Sequence, residues 1–157
     1  MIFDADVHIT DRAGGNNMSI GALISQMDRY GVDKALCWPM VSYTGEVADD
    51  NRAIAVGMKN HPDRIIGFGG LNPMRGLNQA KDELKKCIND YGLRGVKLNG
   101  ARDGYYVDSE ELAMPLIEEI VGNGLLLSLH CGINDPAKAH PWRIGNIAER
   151  FPEATVL

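Results

Sequence analysis

Ile2-Phe3-Asp4-Ala5-Asp6-Val7-His8, at the head of the chain, reads as a β-strand with polar chemistry on one side only. Successive side chains of an extended chain alternate faces. Phe3, Ala5 and Val7 then point one way, fit to pack on helices, while Ile2, Asp4, Asp6 and His8 point the other. The second face ends in a carboxylate and an imidazole side by side at the strand's C-terminal end. Carboxylate oxygen and imidazole nitrogen both bond a cation such as Zn²⁺ at about 2.0–2.2 Å, so Asp6 and His8 can share one ion. Two ligands do not make a site, and a polar strand end that meets solvent has the same pattern.

Outward from this strand the chain repeats a unit. Ser19 is placed to cap a helix whose stripe is Ile20, Leu23, Ile24 and Met27, with Gly31 at its end. Lys34 to Trp38 reads as a second strand, and Glu46 to Lys59 as a helix. Arg64 to Gly69 is a third strand, and Leu77, Ala80, Leu84, Ile88 and Tyr91 mark the next helix. Leu93 to Leu98 is a fourth strand, and Asp108 with Glu111 forms a capping-box start for a helix carrying Leu112, Leu116, Ile117 and Ile120. Leu125 to His130 is a fifth strand, Pro141 to Phe151 holds a short helix, and Ala154 to Leu157 begins a sixth strand. Between the first strand and Ser19 lies a polar Gly- and Asn-containing loop, Thr10 to Met18.

Strand starts recur about every 30 residues, each followed by a helix, as expected of βα units with parallel strands. An open doubly wound sheet suits the length of 157 residues. A (β/α)8 barrel takes about 250 residues, so this chain would supply its first five to six units. Length favours the open sheet, and the chemistry favours the barrel.

Composition sets outer limits. The chain is 45% hydrophobic and 24% charged, ordinary for a globular protein and enough for one core as a single domain over 1–157. A net charge of -5 and a pI near 5.3 give no nucleic-acid footprint and no polybasic membrane anchor. No apolar run is long enough to span a membrane, and the N-terminus lacks a leader pattern. Cys37, Cys87 and Cys131, odd in number and widely spaced, fit reduced thiols in a cytoplasmic protein. Gly14-Gly15 lacks the order of a phosphate-binding loop.

The fifth strand carries the chemical argument. Leu125, Leu127 and Leu129 share one face, and Leu126, Ser128 and His130 the other. His130 is again the last residue of its strand, at the edge where parallel-sheet enzymes place their sites. In a barrel, alternate strands fill common layers, so strands one and five look into the same interior and His130 can approach Asp6 and His8. Three ligands with an open position is the pattern of a catalytic metal. On the fourth strand Lys97 points to the same side as Gly95 and Asn99. A Lys there needs a carboxylate, a substrate anion or a metal-bound group, or else reaches solvent. Asn99, Arg102, Tyr105 and Tyr106 follow on the side where a substrate docks, and Arg102 could clamp a carboxylate or be plain surface charge.

Taken together these residues resemble the amidohydrolase-related family, the amidohydrolase 2 branch of the metal-dependent amidohydrolases. The family includes hydrolases, lactonases and decarboxylases of γ-resorcylate and aminocarboxymuconate-semialdehyde type. The resemblance runs through Asp4-Ala5-Asp6-Val7-His8, His61-Pro62-Asp63-Arg64-Ile65-Ile66-Gly67, Gly95-Val96-Lys97-Leu98, Leu129-His130-Cys131-Gly132 and Phe151-Pro152-Glu153. It implies a TIM-like barrel of α/β class, of which this chain is the N-terminal part. It implies one divalent ion, Zn²⁺ first and Mn²⁺ second, held by Asp6, His8 and His130, with Lys97, Asn99 and Arg102 contacting a small-molecule substrate. Asp6 stands where the commonest pattern has a first His, which gives the site a harder, anionic ligand.

The family's later metal-site His and its general acid/base Asp have no counterpart in these residues; His61 reads as structural, and His140, after the fifth strand, could approach the site but reads first as a surface or capping residue before Pro141. The chain alone is therefore expected to be inactive or nearly so, and to be a fragment or the ordered part of a longer protein. An alternative is that two copies meet through their open sheet edges. The function implied first is a metal-dependent hydrolase acting through an activated water. The alternatives are a non-oxidative decarboxylase of a small carboxylic acid on the same site, and a non-catalytic α/β module.

Overall fold

A computed structural model of the chain describes residues 1–10, 18–40, 47–132 and 135–157. Five strands form one parallel sheet: β1 (Phe3–Ile9), β2 (Lys34–Pro39), β3 (Ile65–Gly70), β4 (Gly95–Leu98) and β5 (Leu126–Leu129). Their order across the sheet is their order along the chain. A doubly wound sheet reverses direction at a switch point, whereas a barrel adds each strand beside the last. The order therefore overrules the length argument for an open sheet, and the strands curl into a half-barrel. The sixth strand has begun: Leu127 N–H donates to Thr155 O at 3.0 Å, and Leu157 N–H to Leu127 O at 2.9 Å.

Helices α1 (Ile20–Tyr30), α2 (Ala48–Asn60) and α3 (Leu77–Asn89) alternate with the first four strands. Ser19 caps α1 by accepting from Ala22 N–H, and Gly31 closes it at φ 69, both as the sequence predicts. Leu23 and Met27 of α1 pack with Val7, Ile9, Ala35 and Cys37 of β1 and β2. Burial of each such Leu or Met side chain stabilises the fold by about 1.5–3 kcal/mol. No helix of the described residues is long and apolar enough to cross a membrane. Most of the polar loop expected over Thr10 to Met18, and Glu46 at the expected start of the second helix, lie outside the described residues.

Two expectations are corrected. The first strand does not alternate strictly. Asp4 pairs with Ala35 and Val7 with Cys37, so β1 carries one residue more than β2 over this interval. Such a bulge shifts the faces beyond it. Val7 and Ile9 are buried, while Phe3 and Ala5, expected to pack on helices, are exposed.

Asp108 and Glu111 do not start a helix. The next long helix, α5, runs Met114–Gly122 with Pro115 in its first turn. Asp108 instead accepts from Arg143 Nη1 at 2.7 Å and from Asn146 Nδ2 at 2.9 Å, both on the last helix, α6 (Pro141–Arg150). A charge-assisted bond to Arg outcompetes a neutral backbone cap.

The open sheet edges expected of a partial barrel leave an inner face that carries its own apolar cluster. Leu36, Trp38 and Phe68 cluster there and are 6%, 4% and 0% exposed. Trp38 and Phe68 meet edge to face, with ring centroids 6.1 Å apart, a geometry the aromatic quadrupole favours.

Candidate metal and anion site

The strand ends position the site. On β4, Val96 and Leu98 join the core shared with α3 and α5, so Lys97 between them faces the barrel interior as expected. On β1, the bulge turns Asp6 and His8 to the same interior, where Asp6 Oδ1 lies 3.5 Å from His8 Nδ1 and 3.6 Å from Lys97 Nζ. Lys97 is only 14% exposed at its side chain, and its ammonium lies 3.4 Å from the centroid of the Trp38 ring. A cation desolvated against an indole face is held by the ring quadrupole. The His8 ring also meets Trp38 edge to face at 5.8 Å.

After Leu98 the chain makes a short helix, α4 (Gly100–Asp103). Asn99 caps it, its Oδ1 accepting from Arg102 N–H at 3.1 Å. That use of the side chain makes Asn99 a positioning residue before it is a substrate contact. Arg102 is not plain surface charge: its side chain is 20% exposed and its Nε lies 3.7 Å from Asp103 Oδ1. His8, Lys97, Asn99, Arg102 and Asp103 line one narrow cleft with Pro39, Gly70 and Leu71. Wider hollows, such as the one lined by Val47, Arg75, Glu83 and Lys86, lie away from these strand ends.

Burial first, and then the Lys97 cation, pull the His8 imidazole below its ordinary pKa, against the opposing influence of Asp6. The neutral ring keeps the lone pair a metal requires. Burial likewise pulls the Lys97 ammonium down, with Asp6 opposing. Asp103, which sequence reasoning missed, is pushed up to about 6 by burial despite Arg102 beside it. Its side chain is 4% exposed, and nothing in its local sequence signals that burial. Tyr105 is buried with its hydroxyl unbonded, whereas Tyr106 is exposed under Arg143, outside the cleft.

His130 directly follows β5, partly buried, and its N–H donates to Leu98 O at 3.0 Å, tying the ends of β4 and β5 together. Its charge contributes slightly to the lowering of the His8 pKa, less than Lys97 does. Among the described residues, no three His, Cys, Asp or Glu side chains close into a group able to hold a metal ion. The structure thus brings together Asp6, His8 and Lys97, with Arg102 lining the same cleft as His8 and Lys97, while His130 does not close with Asp6 and His8 into a metal-holding group. A carboxylate and an imidazole are donors that a divalent ion accepts, and Asp6 with His8 supplies two of the set such an ion needs. His140 caps α6 through its Nδ1, and His61 closes α2, both in structural roles.

The chain is 32% identical over 104 residues to the 2-amino-3-carboxymuconate-6-semialdehyde decarboxylase of Dictyostelium discoideum, covering 63% of this chain and 28% of that protein. Among solved structures, a TIM-barrel protein of Bordetella bronchiseptica superposes with a TM-score of 0.77 at 20% identity, over 99% of this chain and 65% of that one. The 5-carboxyvanillate decarboxylase of Novosphingobium aromaticivorans, with bound manganese, superposes with a TM-score of 0.67 at 19% identity, over 85% and 47%. The chain spans less than two thirds of the length of each of these proteins. Residues 3–157 match the Amidohydro_2 model, described as amidohydrolase, and the chain belongs to that family.

Proposed function

We propose that this chain carries the N-terminal half of the active site of a metal-dependent, non-oxidative decarboxylase of small carboxylic acids. The observation that carries the reading is the Asp6–His8 pair, 3.5 Å apart at the C-terminal end of β1 and facing the cations of the cleft. The decarboxylase relatives favour this reaction over the hydrolase that the resemblance implied first.

Asp6, His8 and His130 would hold the ion. Mn²⁺ is favoured by the manganese in the carboxyvanillate enzyme, and Zn²⁺ is the alternative. When bound, a divalent ion neutralises the substrate carboxylate and a neighbouring oxygen and so fixes their orientation. The remaining steps fall to side chains. Lys97 and Arg102 attract and orient the anionic acid, and Trp38 offers a flat wall beneath Lys97. Asn99 holds the turn that aims Arg102. The cleft is narrow and its cations are largely desolvated, which strengthens their grip on a carboxylate relative to water. Loss of CO2 leaves an electron pair on carbon that takes up one proton. Three free thiols fit a reducing compartment such as the cytoplasm.

The test is to load the purified protein with Mn²⁺, count bound metal, and measure CO2 release from a panel of hydroxybenzoic and unsaturated dicarboxylic acids. Expected are about one ion per chain, lost in His130→Ala, and CO2 from at least one acid in the protein that contains this half-barrel. Cleavage of an ester, lactone or amide with no CO2 from any acid would return the reading to a hydrolase. Metal-free protein with unchanged stability in Asp6→Ala and His8→Ala would leave the non-catalytic module.

A further inference from the structure

We propose that the hollow between α2 and α3 is a binding site for a small protonated primary amine with an apolar body, whose ammonium pairs with the buried carboxylate of Glu83. None of Asp6, His8 and His130 lines this hollow, so its occupancy is independent of a metal at the strand ends.

The hollow encloses about 570 Å³, within the range of about 300–1,000 Å³ typical of small-molecule sites. Its apolar wall comes from Val47 and Ala48 at the start of α2, Leu71 after β3 and Ala80 of α3. Of the charged residues that line it, Asp49, Arg75, Asp82 and Lys86 are exposed, whereas Glu83 is buried, its side chain 8% exposed. A buried carboxylate is costly unless both oxygens are satisfied. The first is: Oε1 accepts from Asn51 Nδ2 at 2.9 Å, and Asn51 is itself locked to the Gly70 backbone. The second is held less well. Oε2 accepts from Lys86 Nζ at 3.4 Å, longer than the about 2.7–2.9 Å of a good charge-assisted bond. Lys86 is half exposed and one helical turn away, where such pairs contribute little. The exposed acids have partners of their own, Arg52 for Asp49 and Lys85 for Asp82.

The hollow therefore carries an anion that is fixed in place, withdrawn from water and weakly countered. An entering ammonium replaces Lys86 at Oε2 with a shorter bond, and Lys86 turns into solvent at little cost. The carbon body of the ligand covers Val47, Leu71 and Ala80 and takes apolar surface out of water. An anion is disfavoured, because three carboxylates and two cations line the hollow. A neutral ligand gains only the apolar burial.

The experiment titrates isotope-labelled protein, in buffer with a chelator, with benzylamine and with benzyl alcohol and benzoate as its neutral and anionic counterparts. Amide NMR shifts report both affinity and place. Benzylamine should move the amides of residues 47–49, 71–72 and 79–86, and should bind about ten-fold tighter than either counterpart. Glu83→Gln keeps the shape of the side chain and an oxygen for Asn51. It should weaken benzylamine about ten-fold and leave benzyl alcohol unchanged. Lys86→Met removes an exposed competing cation and should bind benzylamine several-fold tighter.

Benzyl alcohol or benzoate binding as tightly as benzylamine overturns the amine site, as does benzylamine binding that is unchanged in Glu83→Gln. So do shifts confined to residues outside the hollow, or a Lys86→Met protein that binds benzylamine no tighter than wild type. If Glu83→Gln loses its native spectrum, the three ligands and Lys86→Met decide without it. No saturable binding of benzylamine overturns the site outright.

Discussion

The Asp103 carboxylate faces the Arg102 guanidinium at 3.7 Å, with only 4% of its side chain exposed, and burial still outweighs that partner. Its pKa is pushed up to about 6 from an ordinary 3.8. A carboxyl with a raised pKa holds its proton more tightly in the folded chain than in the unfolded one. Below the ordinary value both states are protonated and the group contributes no penalty. As pH rises towards 6 the unfolded state releases its proton first, so stability falls, and above that the full penalty is in force. Two pKa units correspond to a penalty on the order of 2–3 kcal/mol. Urea unfolding of Asp103→Asn should therefore gain on wild type by that amount between pH 4 and pH 7. A difference that does not change with pH would show that the fold does not disfavour the ionised carboxylate.

Asn51 ties α2 to the end of β3 beneath the cleft. Its Nδ2 donates to Gly70 O at 3.1 Å and to Glu83 Oε1 at 2.9 Å, and its Oδ1 accepts from Gly70 N–H at 2.8 Å. The residue is fully buried. Asn51→Ala removes the side-chain partner of the Gly70 amide and carbonyl, whereas the Glu83 carboxylate keeps Lys86 Nζ at 3.4 Å. Loss of roughly 2–4 kcal/mol in unfolding free energy is expected, since buried groups left unpaired are penalised individually. A loss below about 1 kcal/mol would mean that water reaches these groups.

The three thiols differ in environment. Cys37 and Cys87 are buried, with pKa values pushed up to about 12, while Cys131, beside His130, is exposed. Only thiolate reacts with a disulfide reagent. One thiol per native chain should label promptly, at Cys131, and all three should label in denaturant. Prompt labelling of Cys87 in native protein would contradict the packing of α3 on β3.

The faces of β4 and β5 were legible because both strands obey simple alternation. Val96, Leu98, Leu127 and Leu129 lie in the outer core as their spacing predicts, which leaves Lys97 on the interior. β1 was less legible because its bulge is a property of pairing with β2 and leaves no mark in the composition of Phe3 to His8. Asp108 was misread because its competitor, Arg143, arrives from 35 residues away. Asp103 and Asn51 were missed for a related reason. Their roles come from being buried against Arg102 and Glu83, and sequence patterns report periodicity better than the burial of a single polar group. Strand order, which decided between open sheet and barrel, is likewise a tertiary fact.

Gly95 links the barrel's inner packing to the cleft and yields the last test. A Cβ at this position would lie 2.6 Å from the Phe68 ring and 2.6 Å from the Leu126 carbonyl oxygen. The oxygen belongs to the neighbouring strand and cannot yield without loosening the β4–β5 ladder, in which Gly95 pairs with Leu126. The Phe68 ring in turn packs on Trp38, whose face supports Lys97. Gly95→Ala is therefore expected to destabilise the fold by about 1–3 kcal/mol, the usual cost of overpacking. It should also alter the fluorescence of Trp38, read in a Trp142→Phe background because Trp142 is the other, exposed, indole. If Gly95→Ala kept both stability and the Trp38 emission, Phe68 would have room to spare, and the close inner packing of the half-barrel described above would be wrong.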